Sequence, residues 1–247
     1  MTLDLQTSLN EIVAHSERTA YSAVGALDRP VTHCPGWNVR ELLDHLIEVH
    51  WFWATIVEQQ LQEPPEVGGP VQVAESEVIA RFLEGARHMV KVLENAPQKA
   101  TVWTWAPTQL DVAFVTRHQI QEIAVHHWDV ANASGSAFTL SPAVACDAID
   151  EFLTFSVASK SYPAPEDRPA LGGALGLQCS DVDEGWTVRD GVVPRTISFT
   201  LGVDEGVPTI SATSAEILLW LFGRVELAAS AEAAERARQF RANCYTD

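Results

Sequence analysis

The chain has 247 residues, long enough for one large domain or two modest ones with a buried core. Hydrophobic residues make up 47% and charged residues 20%, which excludes a disordered or collagen-like chain. With 16 Lys and Arg against 33 Asp and Glu, the net charge of -17 repels phosphate backbones and anionic lipids, so neither nucleic acid nor a membrane surface is an expected partner.

The opening Met1-Thr2-Leu3-Asp4 has no basic patch and no apolar run, and does not read as a secretory signal. Leu5, Leu9, Ile12 and Val13 recur at helical spacing and predict a first helix over residues 3–28. A turn follows, His33-Cys34-Pro35-Gly36-Trp37. Asn38 with Glu41 three residues on is close to a capping box and opens a second helix to about residue 60. Pro64-Pro65 and Gly68-Gly69-Pro70 mark a loop. A third helix is expected over 75–95 and a fourth over 109–133, ending at Ser134-Gly135. A fifth opens at Ser141, with Pro142 at the first helical position. Lys160 at its end reads as a partner for the helix dipole.

Tyr162-Pro163-Ala164-Pro165 through Gly172-Gly173 reads as a linker or long loop. Beyond it the period becomes two: Leu175, Leu177 and Cys179 alternate with other residues, as do Ile197, Phe199 and Leu201. Asp190-Gly191 signals a hairpin turn. Thr213 with Glu216 caps a helix that ends at Gly223, and a last helix fits 231–242. The expected fold is therefore α+β in two domains: a bundle of four or five helices over 1–160, then a small α+β domain over 161–247. The cysteines, Cys34, Cys146, Cys179 and Cys244, are scattered without a C-x-x-C pair. They argue against a disulfide framework and for a reducing, cytoplasmic compartment.

The fourth helix carries the most informative spacing. At 100° per residue, His118, Glu122, His126, Asp129 and Asp111 fall within about 80° of one helix face. Ala113, Ile120, Ala124 and Ala131 lie opposite. Glu122 and His126, one turn apart, can reach one point in space, which suits two ligands on one metal ion. A solvated or interhelical polar stripe has the same periodicity. On the second helix His45 shares a face with Leu42, Val49 and Phe52, while His50 points elsewhere. If His45 meets Glu122 and His126, the set is His₂Glu with an open coordination position. The eight tryptophans include Trp51, Trp53, Trp103 and Trp105, which pack a core or line a pocket; Trp37, Phe52 and Trp53 are the candidate walls. No phosphate-binding glycine loop, nucleophile elbow or dinucleotide fingerprint is present.

The segment Cys34-Pro35-Gly36-Trp37-Asn38-Val39-Arg40-Glu41-Leu42-Leu43-Asp44-His45-Leu46 resembles a signature of the mycothiol-dependent maleylpyruvate isomerase family, a branch of the DinB-like metal-binding four-helix bundles. Glu122-Ile123-Ala124-Val125-His126-His127-Trp128-Asp129 resembles that family's second signature. Ser214-Ala215-Glu216 through Leu221-Phe222-Gly223-Arg224 is similar to its late helix. The resemblance implies His45, Glu122 and His126 as ligands of a divalent metal, zinc by preference. It also implies mycothiol as the thiol cofactor, and Arg224 as the arginine that serves the active site. A free thiol, with a pKa of about 8.5, is mostly protonated at neutral pH, whereas a metal-bound thiol is deprotonated.

The implied activity is thiol addition to a small electrophile, as a cis–trans isomerase or an S-transferase, with Arg224 pairing a substrate carboxylate. Asp129 would orient a ligand histidine, and His118 would relay a proton or merely adjoin the site. Where the family commonly has arginine after the metal histidine, this chain has His127, and the expectation is a positive charge lost beside the site. Two alternatives stand: a zinc hydrolase, which Glu122-x-x-x-His126 supports poorly because it lacks the His-Glu-x-x-His arrangement, and a non-catalytic metal or ligand binder.

Overall fold

The structure, a computed structural model, describes residues 2–65, 68–106, 108–158, 170–193 and 196–244. The linker proline run 162–165 and Lys160 lie outside the described residues. Contacts divide the chain into two units. The first holds residues 2–105 and 109–140; the second holds 141–244 together with Ala106 and Thr108.

Four helices build the first unit: α1 (Leu5–Ala23), α2 (Val39–Gln59), α3 (Val78–Asn95) and α4 (Val112–Ser134). Each boundary has a local cause. Asp4 caps α1 by accepting the Thr7 backbone N–H at 3.0 Å. Asn38 and Glu41 complete a reciprocal capping box at the start of α2, with bonds of 3.0 and 2.7 Å. Asp111 caps α4 by accepting the Phe114 N–H at 3.0 Å, and Gly135, at φ 74°, closes it. Asp111 is thus a helix cap, not a member of the polar site face on which its spacing placed it.

The helices pack as α1 on α4, α4 on α2, α2 on α3 and α3 on α1. Leu42, Leu43 and Leu46 of α2, Phe82 of α3, and Ile123 and Val130 of α4 share one buried cluster. The turn before α2 folds back on itself. Trp37 N–H donates to the Cys34 carbonyl at 3.0 Å, and Val39 N–H donates to the Arg29 carbonyl at 2.9 Å. Gly36, at φ 89°, supplies the left-handed residue that this turn needs. Cys34 and Trp37 are thereby fixed relative to the first turn of α2.

The second unit opens with α5 (Pro142–Phe152), whose N-cap Ser141 and leading Pro142 match the sequence reading. A π-helical turn, Leu153–Ala158, follows. The expected boundary at residue 160 is moved to about residue 140. The reason is packing: α5 lies against α6 (Ser214–Leu221) within the second unit. Strands β1 (Ala174–Cys179), β2 (Gly185–Asp190), β3 (Ile197–Leu201) and β4 (Thr209–Ala212) form a sheet in the order β3-β2-β1-β4. β1 pairs antiparallel with β2, placing Leu177 opposite Trp186, and parallel with β4, placing it beside Ile210. Leu175, Leu177, Trp186, Val188, Ile197 and Ile210 are buried. α6 and α7 (Ala231–Arg241) pack on β1. Thr213 and Glu216 form the expected capping box of α6. Among the described residues, no helix is long and apolar enough to cross a membrane.

Candidate metal centre

His45 of α2 and Glu122 and His126 of α4 converge on one point. His45 Nε2 lies 3.1 Å from Glu122 Oε1, and His126 Nε2 lies 3.4 Å from the same oxygen. One ligand atom from each residue lies within 4.8 Å of the other two. The His45 and His126 rings meet edge to face, with centroids 5.5 Å apart. Ligand atoms bound tetrahedrally to zinc at about 2.1 Å stand about 3.4 Å from one another, so the side chains need little movement to take the ion. Two imidazole nitrogens and a carboxylate oxygen also suit a borderline divalent ion. All three side chains are half-buried, so the centre is shielded but reachable.

A buried carboxylate stands behind the set. Asp129 Oδ2 lies 2.9 Å from His126 Nδ1, and the Asp129 side chain has no exposure. That bond fixes the ring so that Nε2 faces Glu122 and His45. The Cys34 thiol donates to the same Asp129 oxygen at a long 3.9 Å. Cys34 therefore belongs to the surroundings of the centre, which its sequence context did not indicate.

The electrostatics follow from these contacts. Burial disfavours the charged form of His126. The Glu122 charge, the hydrogen bonds to Asp129 and Glu122 and the Asp129 charge outweigh it, and the ring is raised to about 9. Burial raises the Glu122 carboxyl, but the His126 charge and the hydrogen bonds from His126 and His45 hold it well below the usual carboxylate range. Without an ion, the set at neutral pH is an imidazolium held between two carboxylates, and a metal would displace the Nε2 proton.

The remaining candidate residues divide into two groups. Trp37, at 37% exposure, lays its ring 5.1 Å from that of His45 and borders the centre. Phe52 and Trp53 pack against Trp103 at 5.9 and 6.0 Å, a turn or more along α2 from His45. His118 lies among these aromatics: it stacks on Phe114 at 5.5 Å and meets Trp105 at 5.3 Å and Trp53 at 5.8 Å. It sits one turn from Glu122 on the same helix. Arg224 belongs to the second unit. There it is 7% exposed, donates from Nη1 to the Phe222 carbonyl at 2.8 Å, and its guanidinium stands 5.9 Å from the Phe222 ring centre.

His127 does not face the ligand set. Its ring is 1% exposed and its Nδ1 lies 3.0 Å from Nδ1 of His15 on α1. The adjacent position on a helix is turned by about 100°, which carries it into the α1–α4 contact. His50 is likewise interior, stacked on Phe82 at 5.5 Å.

These interior histidines imply acid sensitivity. Burial first, then the His127 and Arg18 charges, pushes His15 down to about 3. Burial, then Arg18, pushes His127 down to about 4. Burial pushes His50 down to about 4, with opposing influences from Glu122 and His45. Each folded value lies below the unfolded value of about 6.5, so the unfolded chain binds more protons between them. The contribution of these three rings is complete above about pH 6.5 and falls below it, by up to about 1.4 kcal/mol per pH unit for each histidine, whereas that of His126, raised to about 9, is lost as pH rises from about 6.5 toward 9. Urea midpoints should therefore drop between about pH 6.5 and 5, before most carboxylates titrate. A flat midpoint across that interval would contradict the buried, neutral state of these rings.

Comparisons with known proteins bear on the bundle and on the fold. Residues 10–131 match the mycothiol maleylpyruvate isomerase N-terminal domain. The bundle belongs to that family. The mycothiol maleylpyruvate isomerase N-terminal domain of this chain thus spans nearly all of α1 through α4. Two solved structures share the fold along most of the chain. A crystal structure of a histidine-to-alanine variant of the mycothiol-dependent maleylpyruvate isomerase is 10% identical, with a TM-score of 0.58 over 93% of this chain and 96% of that one. A crystal structure of the mycothiol-dependent maleylpyruvate isomerase is 13% identical, with a TM-score of 0.54 over 91% and 93%. No curated protein matches the chain significantly.

Proposed function

We propose that this chain is a metal-dependent enzyme that uses mycothiol on a small electrophile, as a maleylpyruvate-type cis–trans isomerase or a thiol S-transferase. The observation that carries the reading is the convergence of His45, Glu122 and His126 within the family's own domain. These three residues would hold the ion, with zinc favoured by the donor set. Bound there, the ion would lower the pKa of an incoming thiol so that it is a thiolate at neutral pH.

The chain's own residues have distinct tasks in this reading. Asp129 keeps the His126 Nδ1 proton, so Nε2 is the ligand atom. Glu122 supplies the negative charge that offsets part of the ion's, leaving a net positive centre that favours an anionic nucleophile. Trp37 lays its ring beside that of His45 and would limit water around the centre. Arg224 is proposed to pair with a substrate carboxylate, against the chain's overall negative field. The expected partner is a small conjugated electrophile, in a reducing, cytoplasmic compartment.

Elemental analysis of the purified protein beside His45→Ala and His126→Ala tests the centre. The expected result is about one zinc per chain in the wild type and none in either variant. Mycothiol-dependent isomerisation of maleylpyruvate then tests the activity. A metal-loaded protein that cleaves esters or amides without thiol would turn the reading to a hydrolase. A wild type that stays metal-free after incubation with zinc would leave only a non-catalytic binding protein.

A further inference from the structure

The second unit contains a pair of thiols that the proposed reaction does not use. Cys146 lies on α5 and Cys179 ends β1, and both are buried, at 5% and 4% exposure. Their sulfur atoms stand 4.0 Å apart, although 33 positions separate them in sequence. Both are free thiols. The period-two pattern of β1 places Cys179 on the same inward side as Leu175 and Leu177, the side that faces the core.

The pair is chemically asymmetric. Either sulfur can donate in the bond that joins them; with Cys179 donating, the bond lowers the Cys146 pKa, against burial and the nearby Glu184 and Asp181 charges. The same bond raises the Cys179 thiol, with burial and those acids adding to the effect. One sulfur is thus prepared to lose its proton first while the other keeps it, the division of labour between an attacking and a resolving thiol.

We propose that Cys146 and Cys179 form a redox site that closes into an internal disulfide when a hydroperoxide reaches it. Cys146 sulfur attacks one peroxide oxygen; an S–O bond forms, the O–O bond breaks, and with hydrogen peroxide the other oxygen leaves as water. Cys179 sulfur then attacks the sulfenic sulfur. The S–S bond forms, the S–O bond breaks, and the oxygen leaves as a second water carrying the Cys179 proton. Two thiols are oxidised by two electrons in all, and the peroxide is reduced. Closure asks the sulfurs to approach from 4.0 Å to about 2.05 Å. The bond would tie α5 to β1, both of which pack on α6.

The test oxidises the folded wild-type chain with hydrogen peroxide, then unfolds it, alkylates free thiols and maps peptides by mass spectrometry. The expected product is lower in mass by two hydrogens and contains a Cys146–Cys179 linked peptide, with Cys34 and Cys244 still alkylated. In Cys179→Ala, dimedone should label Cys146, because the sulfenic acid has no resolving partner. The oxidised wild type should also melt roughly 5–10 °C higher than the reduced one. Peroxide that oxidises Cys34 or Cys244 while Cys146 and Cys179 remain alkylatable would overturn the proposal. So would a linked peptide that forms only in denatured chain. The wild-type map decides the matter even if the variant fails to fold.

Discussion

Under the proposed function, Glu122→Gln should leave the bundle unable to hold a divalent ion and without thiol-dependent turnover. The substitution keeps the shape of the side chain and removes its charge. Glu122 Oε1 is the single atom that both histidines approach, at 3.1 and 3.4 Å. Replacing a ligating carboxylate removes a ligand and the negative charge that attracts the ion. The loss of affinity should exceed the 10- to 100-fold typical of changes one layer further out, so roughly 100-fold is a lower bound. A second readout separates this from misfolding. With the Glu122 charge gone, His126 should titrate well below its value of about 9, because the larger of the effects raising it has disappeared. Elemental analysis and histidine NMR on the same metal-free and metal-incubated samples give both answers. Full zinc content in Glu122→Gln would show that the ion is not held at this point.

Phe82→Ala should give the largest loss of stability in the bundle, about 3–5 kcal/mol. The ring has no exposure and lies in the cluster shared by α1, α2, α3 and α4. It also stacks on His50, five residues beyond His45 on α2. Truncation would leave a cavity within the cluster that also holds Leu42 and Leu46 of α2. Denaturant titration at pH 7.5, above the range in which the interior histidines titrate, measures the loss without the acid effect. A change below about 1 kcal/mol would mean that the surrounding helices collapse into the space, contrary to the packing described.

What could be read from the sequence was what depends on neighbouring residues. The caps at Asn38, Ser141 and Thr213 are formed within three or four residues, so their signatures are local and the structure reproduces them. The spacing of Glu122 and His126 is equally local, and the structure turns that helix face toward His45. The meeting with His45 is not local, since the bond spans 77 positions, and only the family signatures tied the two segments together. The His15–His127 contact spans 112 positions and carried no signal beyond the fact that His127 turns off the site face. β2 and β4 escaped the sequence reading because they are short and their burial comes from pairing with β1, not from an alternating pattern of their own. The unit boundary was misplaced for a similar reason: α5 has the composition of a bundle helix, and only its packing on α6 decides its allegiance.

The division of the candidate ligands between α2 and α4 has an effect on how the protein matures. During synthesis, His45 emerges before Glu122 and His126, and the donor set is complete only once residue 126 has been made. An ion captured at this point must therefore arrive after the helices have assembled, and it binds the folded chain in preference to the unfolded one. Each tenfold rise in free ion above the dissociation constant then adds about 1.4 kcal/mol to the bundle's resistance to unfolding. Cellular metal supply would set the lifetime of this protein as well as its activity, and chains made during metal starvation would be the first to be degraded.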